Sequence, residues 1–257
     1  YGEEARKLFA EGEAMLERII AEGRLRAEGV WGIFPANAAG DDVLLYEDEG
    51  REQVCERLCN LRQQRKRHTD EEPNLCLTDF VAPESTGLAD YLGAFAVTAG
   101  LGLDEIRAEF EAEHDEYNKI MVTVLADRLA EAFAEYLHEQ ARAALGYPDD
   151  LTNEELVDEE YRGIRPAPGY PACPDHTEKG KLWELLEVDE RAGIELTESF
   201  AMNPGASVSG WYYSHPESRY FNVGGLGPDQ IESYAERKGM EVEEVDRWLM
   251  RNLDYEP

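Results

Sequence analysis

Residues 165–176 combine a guanidinium, a phenol and an imidazole (Arg165, Tyr170 and His176) with four prolines, at positions 166, 168, 171 and 174. Because proline fixes φ and removes a backbone donor, this proline strip cannot form a helix or an inner strand and must run extended. Its carbonyl groups then face outward, and Arg165 supplies a planar cation that suits a carboxylate. The strip predicts a site for a small zwitterion. Spacing alone favours the alternative, a crossover between two halves of a fold.

Carboxylates and aromatic side chains elsewhere supply further candidate groups. Asp127 and Glu131 are spaced i, i+4, so both carboxylates share one helix face, although such a stripe is more often solvated than functional. Tyr220 and Phe221 end a polar run, where aromatic residues on a strand usually belong to the core. The five histidines show no ligand spacing, and no nucleophilic triad is visible. We therefore expect neither a catalytic residue nor a metal centre.

The composition limits the partners and the compartment. Fifty-six acidic and twenty-five basic residues give a net charge of −31, which argues against nucleic acid or an anionic membrane as a partner. This acidity fits either adaptation to high salt or plain surface solubility. The sequence has no signal-peptide pattern and no apolar run near the roughly 20 residues that span a bilayer. Four cysteines without a Cys-x-x-Cys pair indicate reduced thiols, so we predict a cytoplasmic protein.

Periodicity predicts helices and strands in separate groups. Helices are expected at residues 3–23, from 104, and at 116–145, 152–160, 178–187, 228–239 and 242–250. Strands are expected at residues 29–36, 42–47, 75–81 and 90–98, and residues 194–202 and 209–223 should supply two or three more. Residues 51–62 fit either state. Strands grouped around a helical middle indicate an α+β fold with an antiparallel sheet.

The segment at residues 116–145 is the strongest predicted helix. Its expected buried face carries large apolar side chains, namely Tyr117, Ile120, Val124, Leu129, Phe133, Tyr136 and Leu137. Gly146 and Pro148 predict its end. Thr152 and Glu155 have the spacing of a capping box for the next helix.

The run Arg-Pro-Ala-Pro-Gly-Tyr-Pro-Ala-Cys-Pro-Asp-His-Thr-Glu-Lys at 165–179 resembles the signature of a known family, the C-terminal activation domain of cobalamin-dependent methionine synthase. Further matching motifs follow in the same order at residues 34–37, 61–64, 90–97, 115–121, 196–202 and 204–212. The resemblance runs from about residue 5 to the end. It implies a mainly antiparallel sheet with flanking helices, one open C-shaped domain over residues 1–257, and a strand at residues 51–62.

The resemblance also implies a binding site for S-adenosylmethionine. Arg165 matches the family arginine that contacts this ligand, and Tyr220 matches a second contact point. Ala167, Gly169 and Tyr170 belong to the same strip, Phe221 follows Tyr220, and Glu131 and Glu159 match family residues near the ligand. Two further expected site residues do not rest on the resemblance: Asp127, which shares a helix face with Glu131, and His176, which would orient the loop or reach the ligand. The family domain begins further upstream, with an aspartate that also contacts the ligand. We therefore expect this chain to be a fragment of a larger enzyme without that segment.

The function that the resemblance implies is reactivation of a methyltransferase, the 5-methyltetrahydrofolate–homocysteine enzyme. A flavodoxin-like or other electron donor would reduce oxidised cobalamin, which S-adenosylmethionine would then remethylate. The cobalamin would be carried by another domain of the same enzyme, so this chain alone would complete no turnover. The alternative is a non-catalytic interaction module that kept the fold and lost the ligand.

Overall fold

The computed structural model describes residues 2–65 and 73–256. The helices are α1 (Gly2–Glu22), α2 (Leu103–Ala112), α3 (Glu116–Ala144), α4 (Asn153–Val157), α5 (Glu178–Leu186), α6 (Val188–Ala192), α7 (Pro228–Lys238) and α8 (Val242–Leu249). The strands are β1 (Arg26–Ala39), β2 (Asp42–Tyr46), β3 (Val54–Cys59), β4 (Asp90–Leu101), β5 (Glu195–Leu196), β6 (Met202–Asn203) and β7 (Ser207–Tyr212). Over these ranges, no helix is both long and apolar enough for a membrane span.

The strands confirm the predicted α+β class with its antiparallel sheet. Five of them form one sheet in the order β3-β2-β1-β4-β7, and β5 pairs with β6 in a small ribbon. The strand β2 pairs antiparallel with both neighbours, so that Leu45 lies opposite Ala36 and Val43 lies opposite Leu58. Residues 51–62, which fitted either state, contain the strand β3.

Within the described residues, the chain forms two compact units. The first unit contains the residues up to 30 together with 96–137 and 187–209. The second unit contains residues 31–95 and 138–186 and those from 210 onward. The prediction of a single domain over residues 1–257 stays a prediction.

The helix α3 buries a face different from the predicted one. Four of the large apolar residues expected in the core are exposed, namely Tyr117, Ile120, Val124 and Tyr136. The buried stripe is instead small and recurs every fourth residue, at Val122, Ala126, Ala130 and Ala134. Alanine side chains let neighbouring elements approach the helix closely. The predicted face was wrong because the prediction placed the largest apolar side chains in the core.

One predicted strand is wrong, and another is shorter than predicted. Residues 75–81 contain a 3-10 turn at Leu77–Phe80, because the carboxylate of Asp79 accepts the N–H of Cys76 at 2.8 Å and closes a turn. The strand predicted at residues 209–223 ends at Tyr212, since Pro216 follows and Ser218 N–H closes a turn onto the His215 carbonyl at 3.0 Å. Tyr220 and Phe221 therefore lie in a loop. The charged loop predicted at residues 65–73 falls largely outside the described residues.

A compact hydrophobic core supports the second unit. It gathers buried side chains from the end of β3 and from α7 and α8, including Cys59, Ile231, Tyr234, Val245 and Leu249. The helix α7 begins with Pro228 at its first turn and ends before Gly239, as predicted. This core holds the elements against which the proline strip is anchored.

Candidate ligand-binding site

The proline strip begins as an extended partner of β7. Ile164 and Tyr213 exchange backbone hydrogen bonds of 2.9 and 3.0 Å, and the N–H of Trp211 donates to the Pro166 carbonyl at 3.0 Å. Glycine at position 210 permits this approach, because a Cβ there would lie 2.8 Å from the Pro166 oxygen. The first residues of the strip run extended as expected, but the carbonyl of Pro166 faces β7 and not outward. The prediction of an extended course is wrong beyond Pro168.

Beyond Pro168 the strip folds into a tight turn. The N–H of Gly169 donates to the Cys173 carbonyl at 2.7 Å, and the N–H of Cys173 donates to the Tyr170 carbonyl at 2.9 Å. Gly169 has φ +94°, and a Cβ there would lie 2.2 Å from the Cε1 atom of His176. The imidazole of His176 therefore lies directly against the Gly169 backbone. The next residue, Tyr170, is 66% exposed.

Replacing Gly169 by alanine is expected to lower the free energy of unfolding by about 1–3 kcal/mol, because a side chain at this φ is strained. Urea unfolding of the variant measures the loss. Combining Gly169→Ala with His176→Ala removes the ring that the new methyl group would meet, so the double variant should recover part of the stability. A Gly169→Ala protein as stable as the wild type would contradict the assigned backbone conformation.

Arg165 is held by contacts with three other residues of the second unit. Its backbone N–H donates to the Tyr220 hydroxyl at 3.1 Å. Its Nη1 atom donates to the Tyr161 hydroxyl at 2.8 Å and lies 3.3 Å from Nδ1 of His138. The structure thus brings together Arg165 and Tyr220, as the sequence predicted, and adds Tyr161 and His138, which sequence reasoning missed as site residues.

His138 belongs to a stack of aromatic rings. Its ring lies parallel to that of Tyr212 at 4.9 Å, and Tyr212 stacks in turn on Phe95 at 4.6 Å. The Tyr161 ring meets His138 edge-on at 4.7 Å. Burial, followed by the charges of Arg142 and Arg165, lowers the pKa of His138 to about 2. The imidazole is therefore neutral at physiological pH.

The far end of the strip is anchored by a buried ionic cluster. Asp175 and Glu178 are 3% and 1% exposed, and Lys238 Nζ lies 3.0 Å from Asp175 Oδ2 and also bonds Glu178 Oε1. The Tyr234 hydroxyl donates to the same Asp175 oxygen at 2.8 Å. Burial opposes the charge of Asp175, but Lys238 and the Thr177 hydrogen bonds outweigh it and lower the pKa of this carboxyl. The cluster fixes residues 175–178 to α7.

The other predicted site residues lie in different surroundings. Glu131 is exposed and accepts a 2.6 Å hydrogen bond from Arg128, while Asp127 lines a cleft of about 340 Å³ in the first unit. Glu159 is exposed after α4, and the Phe221 ring packs on the core of the second unit. Ala167 is half-buried within the strip. Ligand contacts by these five residues stay predictions.

The chemical groups of the proline strip are suited to binding. Among residues 2–65 and 73–256, no group of three His, Cys, Asp or Glu side chains is placed to hold a metal ion. The strip presents a guanidinium, ring faces and backbone groups, all of which hold and orient a ligand. Groups of this kind are typical of a ligand-binding domain.

Two comparisons with known proteins identify the family. The chain is similar to a solved protein described as the MetH reactivation domain bound to AdoHcy, with 57% sequence identity and a TM-score of 0.95 over 99% of this chain and 79% of that chain. The family model for the vitamin B12-dependent methionine synthase activation domain matches residues 1–239. The chain therefore belongs to the activation-domain family of vitamin B12-dependent methionine synthase, which confirms the resemblance found in the sequence.

Proposed function

We propose that this chain binds S-adenosylmethionine and presents its methyl group for reductive remethylation of a cobalamin carried on another domain of the same methyltransferase. The observation that carries the proposal is the contact between Tyr220 and Arg165 at the start of the proline strip, a strip in which Tyr170 and His176 are exposed. The AdoHcy described for the similar structure supports it, because AdoHcy is S-adenosylmethionine without the transferred methyl group.

The strip residues are assigned complementary contacts. The guanidinium of Arg165 binds the ligand's carboxylate, since a planar fork of N–H donors matches that group. The rings of Tyr170 and Tyr220 are 66% and 47% exposed and offer π faces to the adenine or to the sulfonium. The backbone of Gly169 is assigned the remaining contact of the strip, and glycine at this position leaves room for the His176 ring.

In the proposed reaction this chain orients its ligand and transfers no proton. Methyl transfer from a sulfonium requires in-line alignment with the acceptor, and a fixed ligand supplies that alignment. Reduced cobalamin, when bound on its own domain, supplies the nucleophile. A flavodoxin-like or other electron donor would reduce the cofactor beforehand, in the cytoplasm, and homocysteine methylation would need the other domains of the enzyme.

Calorimetric titration with S-adenosylmethionine and with S-adenosylhomocysteine tests the proposal directly. Both should give saturable one-to-one binding. In a second step the chain is mixed with a separately expressed cobalamin domain, a reductant and methyl-labelled S-adenosylmethionine, and label should reach the cobalamin only in the complete mixture. Absence of saturable heat with either ligand would favour the alternative, an interaction module that kept the fold and lost the ligand.

A further inference from the structure

One nitrogen of Arg165 faces two acceptors from different parts of the second unit. The distance from Nη1 is 2.8 Å to the Tyr161 hydroxyl and 3.3 Å to Nδ1 of His138. A guanidinium is planar, so the direction of one Nη group sets the directions of its other N–H groups. Two acceptors at Nη1 therefore restrict how the rest of the fork is presented.

The protonation state of His138 follows from its partner. A guanidinium donates and cannot accept, so the Nδ1 atom that faces Arg165 must carry a lone pair. The ring is buried and neutral, which places its single proton on Nε2. The parallel stack on Tyr212, with 2° between the planes, opposes rotation of the ring away from Arg165.

Tyr161 is held in turn by a buried cation. The Cζ atom of Arg142 lies 4.3 Å from the centre of the Tyr161 ring, and Arg142 Nε donates to the Asp149 carboxylate at 2.6 Å. Arg142 is 3% exposed. The phenol therefore rests on a paired guanidinium that is itself fixed, and its hydroxyl keeps its direction towards Arg165.

We propose that His138 and Tyr161 are positioning residues, which set the direction of the Arg165 guanidinium towards the ligand's carboxylate by accepting hydrogen bonds from its Nη1 atom. The inference rests on the proposed function. Neither residue touches the ligand in this scheme, and both act through Arg165. His138 lies 27 residues from Arg165 in the sequence, so no local motif predicts that contact, whereas Tyr161 lies only four residues before Arg165.

The test compares variants that remove only the acceptor. His138→Phe keeps a ring for the Tyr212 stack, and Tyr161→Phe keeps the ring over Arg142. Each should raise the Kd for S-adenosylhomocysteine about five- to tenfold, the scale of one lost hydrogen bond. Tyr147→Phe is the matched control, because the Tyr147 ring centre lies 3.6 Å from Cζ of Arg162, another arginine. The Kd of this variant for S-adenosylhomocysteine should equal that of the wild type.

A double-mutant cycle separates positioning from a general structural role. In an Arg165→Ala background, His138→Phe and Tyr161→Phe should leave the Kd unchanged, because the group through which they act is gone. Equal losses with and without Arg165 would overturn the proposal, as would wild-type affinity in both single variants. If His138→Phe does not fold, Tyr161→Phe still decides the matter through the same cycle.

A spectroscopic measurement needs no ligand and so keeps the two proposals distinct. The nitrogen-15 chemical shifts of the His138 ring at neutral pH should show Nε2 protonated and Nδ1 unprotonated. A proton on Nδ1 would overturn the positioning role whatever the chain binds. Conversely, a wild-type chain with the expected tautomer and no affinity for S-adenosylhomocysteine would overturn the proposed function alone.

Discussion

Replacing Lys238 by methionine is expected to lower the free energy of unfolding by about 3–5 kcal/mol, because it leaves the buried Asp175 carboxylate without an ammonium partner and leaves Glu178 paired with Lys181 alone. The Lys238 side chain is 5% exposed and contacts both Asp175 and Glu178. Methionine matches the volume of the lysine stem, so the change removes charge more than packing. Urea denaturation followed by circular dichroism measures the loss.

The same variant should reverse the response of stability to acid. Lys238 keeps the pKa of Asp175 below its ordinary value, so this stabilisation is present above the unfolded aspartate pKa of about 3.9 and is lost as the pH falls through the folded value. Without the ammonium, burial dominates and raises the pKa of the carboxyl. Lys238→Met should therefore gain stability as the pH is lowered from 7 towards 5, whereas the wild type gains none from this pair.

An exposed lysine provides the matched control. Lys7 pairs with Glu11 at 3.9 Å, and its side chain is 69% exposed. Lys7→Met should change the free energy of unfolding by less than about 0.5 kcal/mol, since solvent screens such pairs. Similar losses in the two variants, or a loss below about 1 kcal/mol for Lys238→Met, would show that the buried cluster does not anchor the strip.

Local signals in the sequence were sufficient for most helices. Helix ends are set by the residues that stand there, as at Pro228 and Gly239 around α7, and as in the capping box of Thr152 and Glu155 before α4. The strand prediction at residues 75–81 was wrong because a single side-chain contact, from Asp79 to the Cys76 N–H, closes a turn that alternation does not reveal. Capping competes with strand formation at short range, and only the structure shows which interaction prevails.

Only the part of the candidate site that lies in one continuous segment could be predicted from the sequence. The proline strip and Arg165 carry their chemistry in adjacent residues, so spacing and resemblance located them. The partners of Arg165 come from α3 and from the loop that holds Tyr220, and the pairing depends on tertiary packing. The helix predicted at residues 116–145 contains His138 together with Asp127 and Glu131. Only the structure shows that His138 is buried, because it continues the buried alanine face of α3, which the periodicity did not predict.

Arg165→Ala is expected to weaken S-adenosylmethionine binding by about 1.5–3 kcal/mol, a rise in Kd of roughly 10- to 150-fold. The loss reflects a charge-assisted hydrogen bond to the ligand's carboxylate. The bond from the residue 165 backbone to the Tyr220 hydroxyl does not depend on the side chain, so the strip should keep its course. Calorimetry gives the affinity, and thermal unfolding monitors the fold.

Two further variants sharpen this result. Arg165→Lys keeps the charge, but a single ammonium cannot reproduce the planar fork, so we expect an affinity between those of the wild type and Arg165→Ala. Arg162→Ala removes a guanidinium three positions earlier that donates to the Ser214 carbonyl at 2.7 Å, and it should leave the Kd within about twofold of the wild type. Unchanged affinity in Arg165→Ala, or equal losses at positions 162 and 165, would show that the strip binds its ligand without this arginine.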